Sequence, residues 1–248
     1  IKLLDSEASN QINDYPFFIL LDEANLSPME HYWADFMKVC DSDNNQIINI
    51  GEANNCLISK TLRFLATINY DTTTEPLSPR LLDRAWIIDL DSDIDFDNLS
   101  DIDVEPIKSV VPYSALVNFF GADFKLTEER EKEISDDIKS RLNKIYDICS
   151  HFISISPRVR KAVLKYYYIA KENDIFDDPE NTNIALDYAV AQKVLPLINV
   201  FDGYENNVRK DLEELEKVFS NKTWPKCNSI IQQILNKSYN GYYNYFNK

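Results

Sequence analysis

Glycine is scarce in this chain, and its positions exclude one common kind of phosphate-binding loop. The 248 residues contain four glycines, and the first of them is Gly51. A loop that wraps phosphate groups with backbone amides needs closely spaced glycines, as in G-x-x-x-x-G-K-[ST]. The Lys-Thr pairs at 60–61 and 222–223 lack such glycines upstream, so we expect ordinary strand and loop residues there.

Basic residues, histidine and long apolar runs are also few. Lysine and arginine number 26 against 41 acidic residues, and the net charge of −15 is the reverse of what binding a nucleic-acid backbone requires. The four cysteines form no close-spaced pair, and neither His31 nor His151 lies at metal-ligand spacing from a cysteine pair, so we expect reduced thiols and no zinc site. With no membrane-spanning run and no signal peptide in the sequence, we expect a cytoplasmic protein that binds neither nucleic acid nor membrane.

The most informative segment is an apolar run that ends in two carboxylates. Residues 17 to 23 read Phe-Phe-Ile-Leu-Leu-Asp-Glu, which predicts a buried strand with Asp22 and Glu23 at its tip. A magnesium ion bound to phosphates needs a hard oxygen ligand, which Asp22 can supply, and Glu23 can polarise an attacking water. Buried parallel strands also end in acidic residues without catalytic roles, so this segment alone leaves both interpretations open.

The next segments predict a helix, a hairpin and a second strand. Ser27-Pro28 is a helix start signal, and the helix should run to about Asp41. Two short apolar runs around Gly51 predict a β-hairpin, which we interpret as a plain connection rather than a substrate-handling insertion. Residues 63 to 68 predict a strand ending at Asn69, whose amide can orient a water or contact a terminal phosphate.

A short helix and a third strand follow. Ser78-Pro79 predicts a helix that carries Arg80 and Arg84 one turn apart on the same face. The apolar residues 86 to 90 predict a strand directly after it.

These segments together resemble an AAA+ ATPase. Asp22-Glu23 is similar to the Walker B motif, Asn69 to sensor 1, and the arginines before the third strand to the arginine finger. The stretches LDEANLS at 21–27 and SPRLLDR at 78–84 look most like the McrB-related branch, which is close to the MoxR-like ATPases and to midasin and dynein modules. ISPRV at 155–159 resembles the sensor 2 motif at the start of a lid helix.

The resemblance implies an α/β fold in two parts. Residues 1 to 106 would form a partial AAA+ parallel sheet with the Walker B, sensor 1 and following strands, and residues 107 to 248 an all-helical lid. Since no glycine loop precedes Asp22, we expect an N-terminally truncated AAA+ core in which residues 1 to 14 lead into the Walker B strand. The P-loop strand would then be missing between strands 63 to 68 and 86 to 90, so that slot must be filled by another chain or closed by rearranged pairing.

The resemblance also implies roles for individual residues. Asp22 would hold Mg²⁺ through the nucleotide, Glu23 would activate water and Asn69 would position it. Arg84, with Arg80 beside it, would reach the nucleotide of a neighbouring subunit. Arg158 would sense the γ-phosphate from the lid.

Two functions therefore stay open. The first is a nucleoside triphosphatase, active only together with a P-loop in a self-associated ring that powers a remodelling or restriction and defence complex, with a nuclease subunit as a partner. ATP is favoured over GTP because residues 68 to 71, Ile-Asn-Tyr-Asp, are one residue shorter than the Met-Asn-x-x-Asp signature of McrB-type GTPases. The second is a non-catalytic AAA+-derived scaffold. Such a scaffold would be expected to lose the acidic pair and the finger arginine, which this chain retains.

The remaining sequence is a linker followed by helices. Acidic residues crowd positions 91 to 105 without the glycine and glutamate register of a calcium loop, which indicates a solvated linker. Three-to-four spacing of apolar residues then predicts helices over 112–120, 127–149, 157–173, 180–195, 204–219 and 225–237. We expect the tyrosines at 166–168 to pack in the core or at the interface between lobes. For the aromatic residues from 239 to 246, packing and base stacking both stay open.

Overall fold

The chain folds into two compact units, each discontinuous in sequence. The first contains residues 1–24, 31–68 and 88–122, and the second contains residues 25–30, 69–87 and 123–248. The computed structural model describes residues 15–40, 47–49, 55–57, 62–70, 74–90, 111–120, 127–176, 184–203, 207–220 and 222–247. The acidic linker and residues 1 to 14 lie outside the described residues. The segment 69–87, which follows the second predicted strand, belongs to the second unit with the helices.

The first unit is built around two parallel strands. Strand β1 (Phe17–Leu21) pairs with β4 (Leu62–Ala66), and Phe17 lies opposite Leu62. Parallel neighbours need a crossover connection, and helix α1 (Met29–Cys40) lies between them in sequence. The Trp33 ring on α1 and the Phe64 ring on β4 pack edge to face, with centroids 4.7 Å apart. Both strands and the helix form close to where the sequence predicts them. The prediction that β1 is buried is wrong for the described residues, because the side chains of Phe18 and Leu20 are 59% and 62% exposed.

The predicted hairpin also forms in the first unit. Strands β2 (Ile47–Asn49) and β3 (Asn55–Leu57) pair in antiparallel fashion. Helix α3 (Tyr113–Phe120) belongs to the same unit and matches the prediction over 112–120.

The predicted third strand is wrong. Residues 86 to 90 form no strand ladder, and the side chains of Ile88 and Leu90 are 65% and 85% exposed. An apolar run becomes a strand only when a neighbour satisfies its backbone groups, and in the described residues no strand pairs with this one. Rearranged pairing of this run within the chain, one of the alternatives expected for the missing P-loop strand, is not seen among the described residues.

The second unit is mainly helical. Its helices are α2 (Pro79–Leu82), α4 (Glu128–Glu133), α5 (Asp136–Cys149), α6 (Pro157–Glu172), α7 (Ile184–Lys193), α8 (Val208–Phe219) and α9 (Pro225–Asn236). The hydroxyls of Ser78 and Ser156 cap α2 and α6, and a proline follows each as the first helical residue, as the sequence predicts. Of the helices that the structure describes, none is long and apolar enough to cross a bilayer.

The sequence predicts one long helix over 127–149, and the structure has two helices there instead. Helix α4 ends before Ile134, which adopts an extended backbone, and Ser135 then caps α5 by accepting a hydrogen bond from the Ile138 amide. The serine followed by two aspartates is itself a helix start signal, because carboxylates are favourable in the first turn. The continuous three-to-four spacing conceals this break.

The helices of the second unit enclose one apolar core. Helix α6 packs on α7, α9 packs on both α7 and α8, and α5 packs on α8. Burying one such aliphatic side chain contributes about 1.5–3 kcal/mol. The most buried members include Leu142, Ile145, Val159, Leu186, Leu212 and Ile231.

The C-terminal aromatic residues belong to this core. Strand β5 (Asn199–Phe201) pairs antiparallel with β6 (Tyr242–Asn244), and Tyr243 and Tyr245 are buried. Gly241 makes the turn into β6 with a φ of 77°, and a Cβ at this position would lie 3.2 Å from the Asp202 carbonyl oxygen. The sequence leaves both packing and base stacking open for these aromatic residues, and the structure shows packing for Tyr243 and Tyr245.

Candidate functional site

In the first unit, a threonine holds the acidic turn after β1. The Thr67 hydroxyl donates a hydrogen bond to Asp22 Oδ1 at 2.6 Å and accepts one from the Glu23 amide at 2.9 Å. Backbone bonds from the Thr67 amide to Leu21 and from the Ala24 amide to Thr67 continue the pairing of the two strands. The carboxyl ends of β1 and β4 therefore meet at one edge, the edge at which open parallel sheets bind ligands.

Glu23 has a strained backbone. Its φ is +47°, in the left-handed region where non-glycine residues are uncommon. Such conformations cost about 1–2 kcal/mol for a residue with a Cβ. The Thr67 hydroxyl and the Ala24 backbone bond hold this geometry, and both acidic side chains are exposed to solvent.

The donor set at this turn fits a magnesium ion that is held mainly by a nucleotide. Mg²⁺ in such sites keeps several waters and takes one or two carboxylates together with phosphate oxygens. Asp22 offers one carboxylate that the Thr67 hydroxyl orients through Oδ1. Among the described residues, no group of three or more acidic, histidine or cysteine side chains could hold a metal alone.

In the second unit, a buried asparagine holds the backbone at Asn69. Asn25 is 1% exposed, and its Nδ2 donates to the Asn69 carbonyl at 2.6 Å and to the Glu75 carbonyl at 3.3 Å. Its Oδ1 accepts from the Asn69 amide at 3.2 Å, and its own carbonyl accepts from the Glu75 amide at 2.9 Å. Both functional atoms of the Asn25 amide are therefore used to fix the loop that carries Asn69, and the Asn69 side chain itself is exposed.

The residue after Asn69 is tied to the C-terminus. The ring of Tyr70 stacks on Phe246 with centroids 5.1 Å apart, and its hydroxyl accepts a hydrogen bond from Asn244 Nδ2 at 2.8 Å. The C-terminal residues therefore support one side of the Asn69 loop, while Asn25 supports the other.

A carboxylate joins the two arginine motifs. Asp83 Oδ2 accepts a hydrogen bond from Arg158 Nη1 at 2.8 Å, and Asp83 Oδ1 accepts one from the Ser156 hydroxyl. Ser156 is also the cap of α6, since its oxygen accepts from the Val159 amide at 3.2 Å. Asp83 lies in SPRLLDR and the other two residues lie in ISPRV, so the structure brings together two motifs that are about 75 residues apart.

Arg84 lies against the same carboxylate. Its Nη1 donates to the Arg80 carbonyl at 2.8 Å and lies 4.0 Å from Asp83 Oδ2. The Arg84 side chain is 15% exposed, whereas Arg80 is exposed. Arg84 is therefore folded back over the end of α2, and the two arginines do not extend together from one face.

A buried lysine lies beneath this turn. Lys193 is 2% exposed, and its ammonium donates to the carbonyls of Leu82, Asp83 and Ala85 at 3.3, 3.0 and 2.6 Å. It also lies 5.7 Å from the centre of the Trp86 ring, within range of a cation–π interaction. Burial lowers the pKa of Lys193 to about 8. The Asp83 carboxylate opposes this shift, and the charges of Arg158 and Arg84 add to it.

Two open clefts among the described residues of the second unit lie elsewhere. They have volumes of about 640 and 550 Å³, and both are bordered by His151, which lies 3.2 Å from Asp211. None of the residues nominated from the sequence lines either cleft. We therefore treat two candidate sites separately: the acidic turn in the first unit, and the Asn69 loop with the Asp83 cluster in the second.

Four residues that organise these segments were not assigned roles from the sequence. Asn25 and Asp83 stand inside the quoted motifs, two residues after Glu23 and directly before Arg84. A carboxamide or carboxylate so close in sequence to a proposed functional residue is a signal that could have found them. Thr67 precedes Asn69 by two residues and gives no comparable signal. Lys193 is a single charge within the apolar run AVAQKVL, which is a weak sign of a buried, partnered ammonium.

Comparison with known proteins gives one family and no individual relative. A family model described as Domain of unknown function (DUF8727) matches residues 111–242, which is more than half of the chain. No curated protein and no solved structure matches the chain. The matched range includes Arg158 and Lys193 and ends before Tyr243, whereas Asp22, Glu23, Asn69 and Arg84 lie outside it. The chain therefore belongs to the family of the domain of unknown function DUF8727.

Proposed function

We propose that this chain is the Walker B to lid portion of an AAA+ nucleoside triphosphatase of the McrB-related and MoxR-like branch. It would work with ATP and Mg²⁺ in a ring of subunits and would supply work to a remodelling or restriction and defence complex. Catalysis would require a P-loop, which these 248 residues do not contain.

The observation that carries the proposal is the contact between Asp83 and the start of α6. The Asp83 carboxylate binds Ser156 and Arg158 and lies beside Arg84. In the proposed ring, Arg158 would sense nucleotide from the lid and Arg84 would reach the neighbouring subunit, so a physical connection between the two arginines favours the proposal. The Asp83 carboxylate interacts with both the Arg158 and the Arg84 guanidinium and so connects them. If one arginine gains a new anionic partner, the charge around the other arginine changes.

The acidic turn supports the proposal independently. Glu23 would accept a proton from the attacking water, and Asp22 would orient the magnesium that accompanies the nucleotide. The ion, when bound, supplies charge neutralisation at the phosphates. Backbone strain stored at Glu23 agrees with such a role, since strained residues cluster at active sites.

The Asn69 loop and the arginines complete the assignment. Asn69 would orient the water, and the bonds from Asn25 hold its backbone in one conformation. Arg158 would leave Asp83 to contact the γ-phosphate, and Arg84, with Arg80 beside it, would turn outward to a neighbouring subunit. Three cations (Arg84, Arg158 and Lys193) and one carboxylate (Asp83) make this cluster locally positive in an acidic chain.

A second candidate is a non-catalytic AAA+-derived scaffold. One observation favours it: Arg158 already forms an ion pair with Asp83, and Arg84 is folded back onto α2. In a scaffold this arrangement would be permanent. In an enzyme it would be one state of two, and nucleotide would shift the population away from it.

The test uses the natural polypeptide that carries these residues. A G-x-x-x-x-G-K-[ST] motif upstream of Ile1 in the same reading frame, together with ATP hydrolysis that rises with protein concentration, supports the enzyme. In mixtures of wild type and Arg84→Ala subunits, hydrolysis should fall more steeply than the fraction of variant, because each finger serves a neighbour. A matched Arg209→Ala variant, which changes an exposed arginine on α8, should leave hydrolysis unchanged. Absence of the upstream motif and of hydrolysis would favour the scaffold.

A further inference from the structure

Lys193 satisfies every hydrogen of its ammonium on one short stretch of backbone. An ammonium has three N–H donors and no acceptor, and here it has three carbonyl partners, on Leu82, Asp83 and Ala85. A buried charge is costly unless it is fully hydrogen-bonded. Lys193, at the end of α7, is only 2% exposed. A lysine is tolerated at this buried position because the three carbonyls accept its hydrogen bonds.

The three carbonyls belong to the end of α2 and the turn after it. The last carbonyls of a helix have no partner within the helix, and a cation near them is favourable. The adjacent residue of α7 extends the same contact, because the Gln192 carbonyl accepts a hydrogen bond from the Ile87 amide at 3.0 Å. The end of α7 thus holds the chain from Leu82 to Ile87.

We propose that Lys193 is the positioning residue for Arg84. This inference rests on the proposed function, in which Arg84 is the arginine finger. Two of the three carbonyls, those of Asp83 and Ala85, belong to the residues on either side of Arg84. Fixing these carbonyls fixes the backbone of Arg84, and with it the direction in which its side chain leaves the chain.

The requirement for such a support follows from the reach of arginine. The Arg84 guanidinium is far from its backbone, so a small rotation of the backbone displaces it greatly. A misplacement of about 1 Å in a catalytic contact can cost about 100-fold in rate. Helix α2 has only four residues and cannot hold its own end rigidly. The support must therefore come from elsewhere in the fold, and Lys193 supplies it.

The first test measures the backbone of this turn in the 248-residue chain. The Arg84 and Ala85 amides both donate to the Leu81 carbonyl and report directly on the turn. In Lys193→Met, their hydrogen-exchange protection should fall about 10-fold or more, equivalent to losing one charged hydrogen bond, while protection in α8 and α9 should be retained. The control is Lys217→Met, the same change at an exposed site on α8, which should alter neither region.

Unchanged protection at Arg84 and Ala85 in Lys193→Met overturns the proposal. If Lys193→Met does not fold, Lys193→Gln takes its place, because the amide keeps two N–H donors on a shorter side chain. A partial loss of protection confined to the turn is then expected, and no loss there overturns the proposal equally.

The second test measures hydrolysis in the natural polypeptide that carries these residues, in which the proposed function requires a P-loop. Lys193→Met should lower kcat about 10- to 100-fold with the KM for ATP unchanged, as expected for a residue that acts through the finger. An unchanged kcat in Lys193→Met, beside an active wild type, overturns the positioning role alone. A wild type without hydrolysis overturns the proposed function, and the positioning role for Arg84 is overturned with it. The exchange data would still report the contact between Lys193 and the turn.

Discussion

The Arg158 guanidinium donates to the Asp83 carboxylate at 2.8 Å, and this contact joins the start of α6 to the end of α2. The same carboxylate accepts a hydrogen bond from the hydroxyl that caps α6. The Asp83 side chain therefore fixes both the first turn of α6 and the Arg158 side chain in that turn. The contact makes Asp83 the centre of the second unit's candidate site.

Replacing Asp83 tests whether this contact matters for stability. Asp83→Ala removes the acceptors of Ser156 and Arg158, and we expect the free energy of unfolding to fall by about 1–3 kcal/mol, towards the lower end because Arg158 is 43% exposed. Urea denaturation followed by far-UV circular dichroism measures the change. The control is Asp137→Ala, which breaks an exposed ion pair with Arg141 on α5 and should cost less than about 1 kcal/mol. Equal losses in the two variants would contradict a central role for Asp83.

Thr67 should determine the order of the acidic turn. Thr67→Val keeps the shape of the side chain but removes the hydroxyl that binds Asp22 and the Glu23 amide. Exchange protection of the Glu23 amide should fall by an amount equivalent to about 1 kcal/mol. Thr67→Ser, which retains the hydroxyl, should keep most of the protection. A Glu23 amide that exchanges at one rate in all three proteins would show that the hydroxyl does not hold the turn.

Replacing Glu23 with glycine should increase the free energy of unfolding. Because its φ is +47°, Glu23→Gly relieves left-handed strain, and we expect the chain to gain up to about 1 kcal/mol of stability. The same substitution at Glu30, in the first turn of α1, should instead destabilise by about 1 kcal/mol, because glycine is unfavourable in a helix. Thermal unfolding of the two variants beside wild type measures this. A loss of stability in Glu23→Gly would mean that the backbone is not strained there.

The buried Lys193 predicts a specific dependence of stability on pH. Its pKa is about 8 in the folded chain and about 10.4 in an unfolded one. Between these values the unfolded chain binds more protons, so this group makes the free energy of unfolding rise with pH, at about 1.4 kcal/mol per pH unit. Below about pH 8 both states are protonated and its contribution is constant.

The contribution of Lys193 is measured as the difference in free energy of unfolding between wild type and Lys193→Met. Urea denaturation of wild type and Lys193→Met at several pH values from 7 to about 10 cancels the titration of the tyrosines and cysteines that both proteins share. The stability of wild type relative to the variant should be level up to about pH 8 and rise above it. A difference that stays level throughout, or falls, contradicts the burial of a lysine with a lowered pKa.

Local patterns in the sequence predicted most of the elements. Serine or threonine caps and apolar periodicity depend on neighbouring residues, so β1, β4, α1 and α6 form where expected. The strand predicted at 86 to 90 does not form, because a strand needs a second strand to pair with and its own residues do not specify one. The break at Ile134 was hidden because apolar spacing continues across it.

The contacts of the candidate site were harder to predict. Asp83 meets Arg158 across 75 residues, and Lys193 meets the Asp83 carbonyl across 110. Such pairs depend on how helices pack, and no local pattern encodes them. The motif resemblance named Asp22, Glu23, Asn69, Arg84 and Arg158, but it could not indicate that Thr67, Asn25, Asp83 and Lys193 hold them.

Nucleotide binding by the 248-residue chain itself should be weak. Because no glycine loop is present to surround the β- and γ-phosphates, we expect a dissociation constant for Mg²⁺-ATP of about 1 mM or weaker, and no hydrolysis. Isothermal calorimetry with the isolated chain measures this. Micromolar affinity would show that phosphates bind here without a P-loop.

The most direct test of the proposed ATPase function is Glu23→Gln in the natural polypeptide that carries these residues, in which the proposal requires a P-loop. Glutamine keeps the shape of the side chain but cannot accept a proton from water, so hydrolysis should fall by about 100-fold or more while ATP still binds with wild-type affinity. Retained binding with lost hydrolysis is the predicted result. Hydrolysis at the wild-type rate in Glu23→Gln would contradict the account.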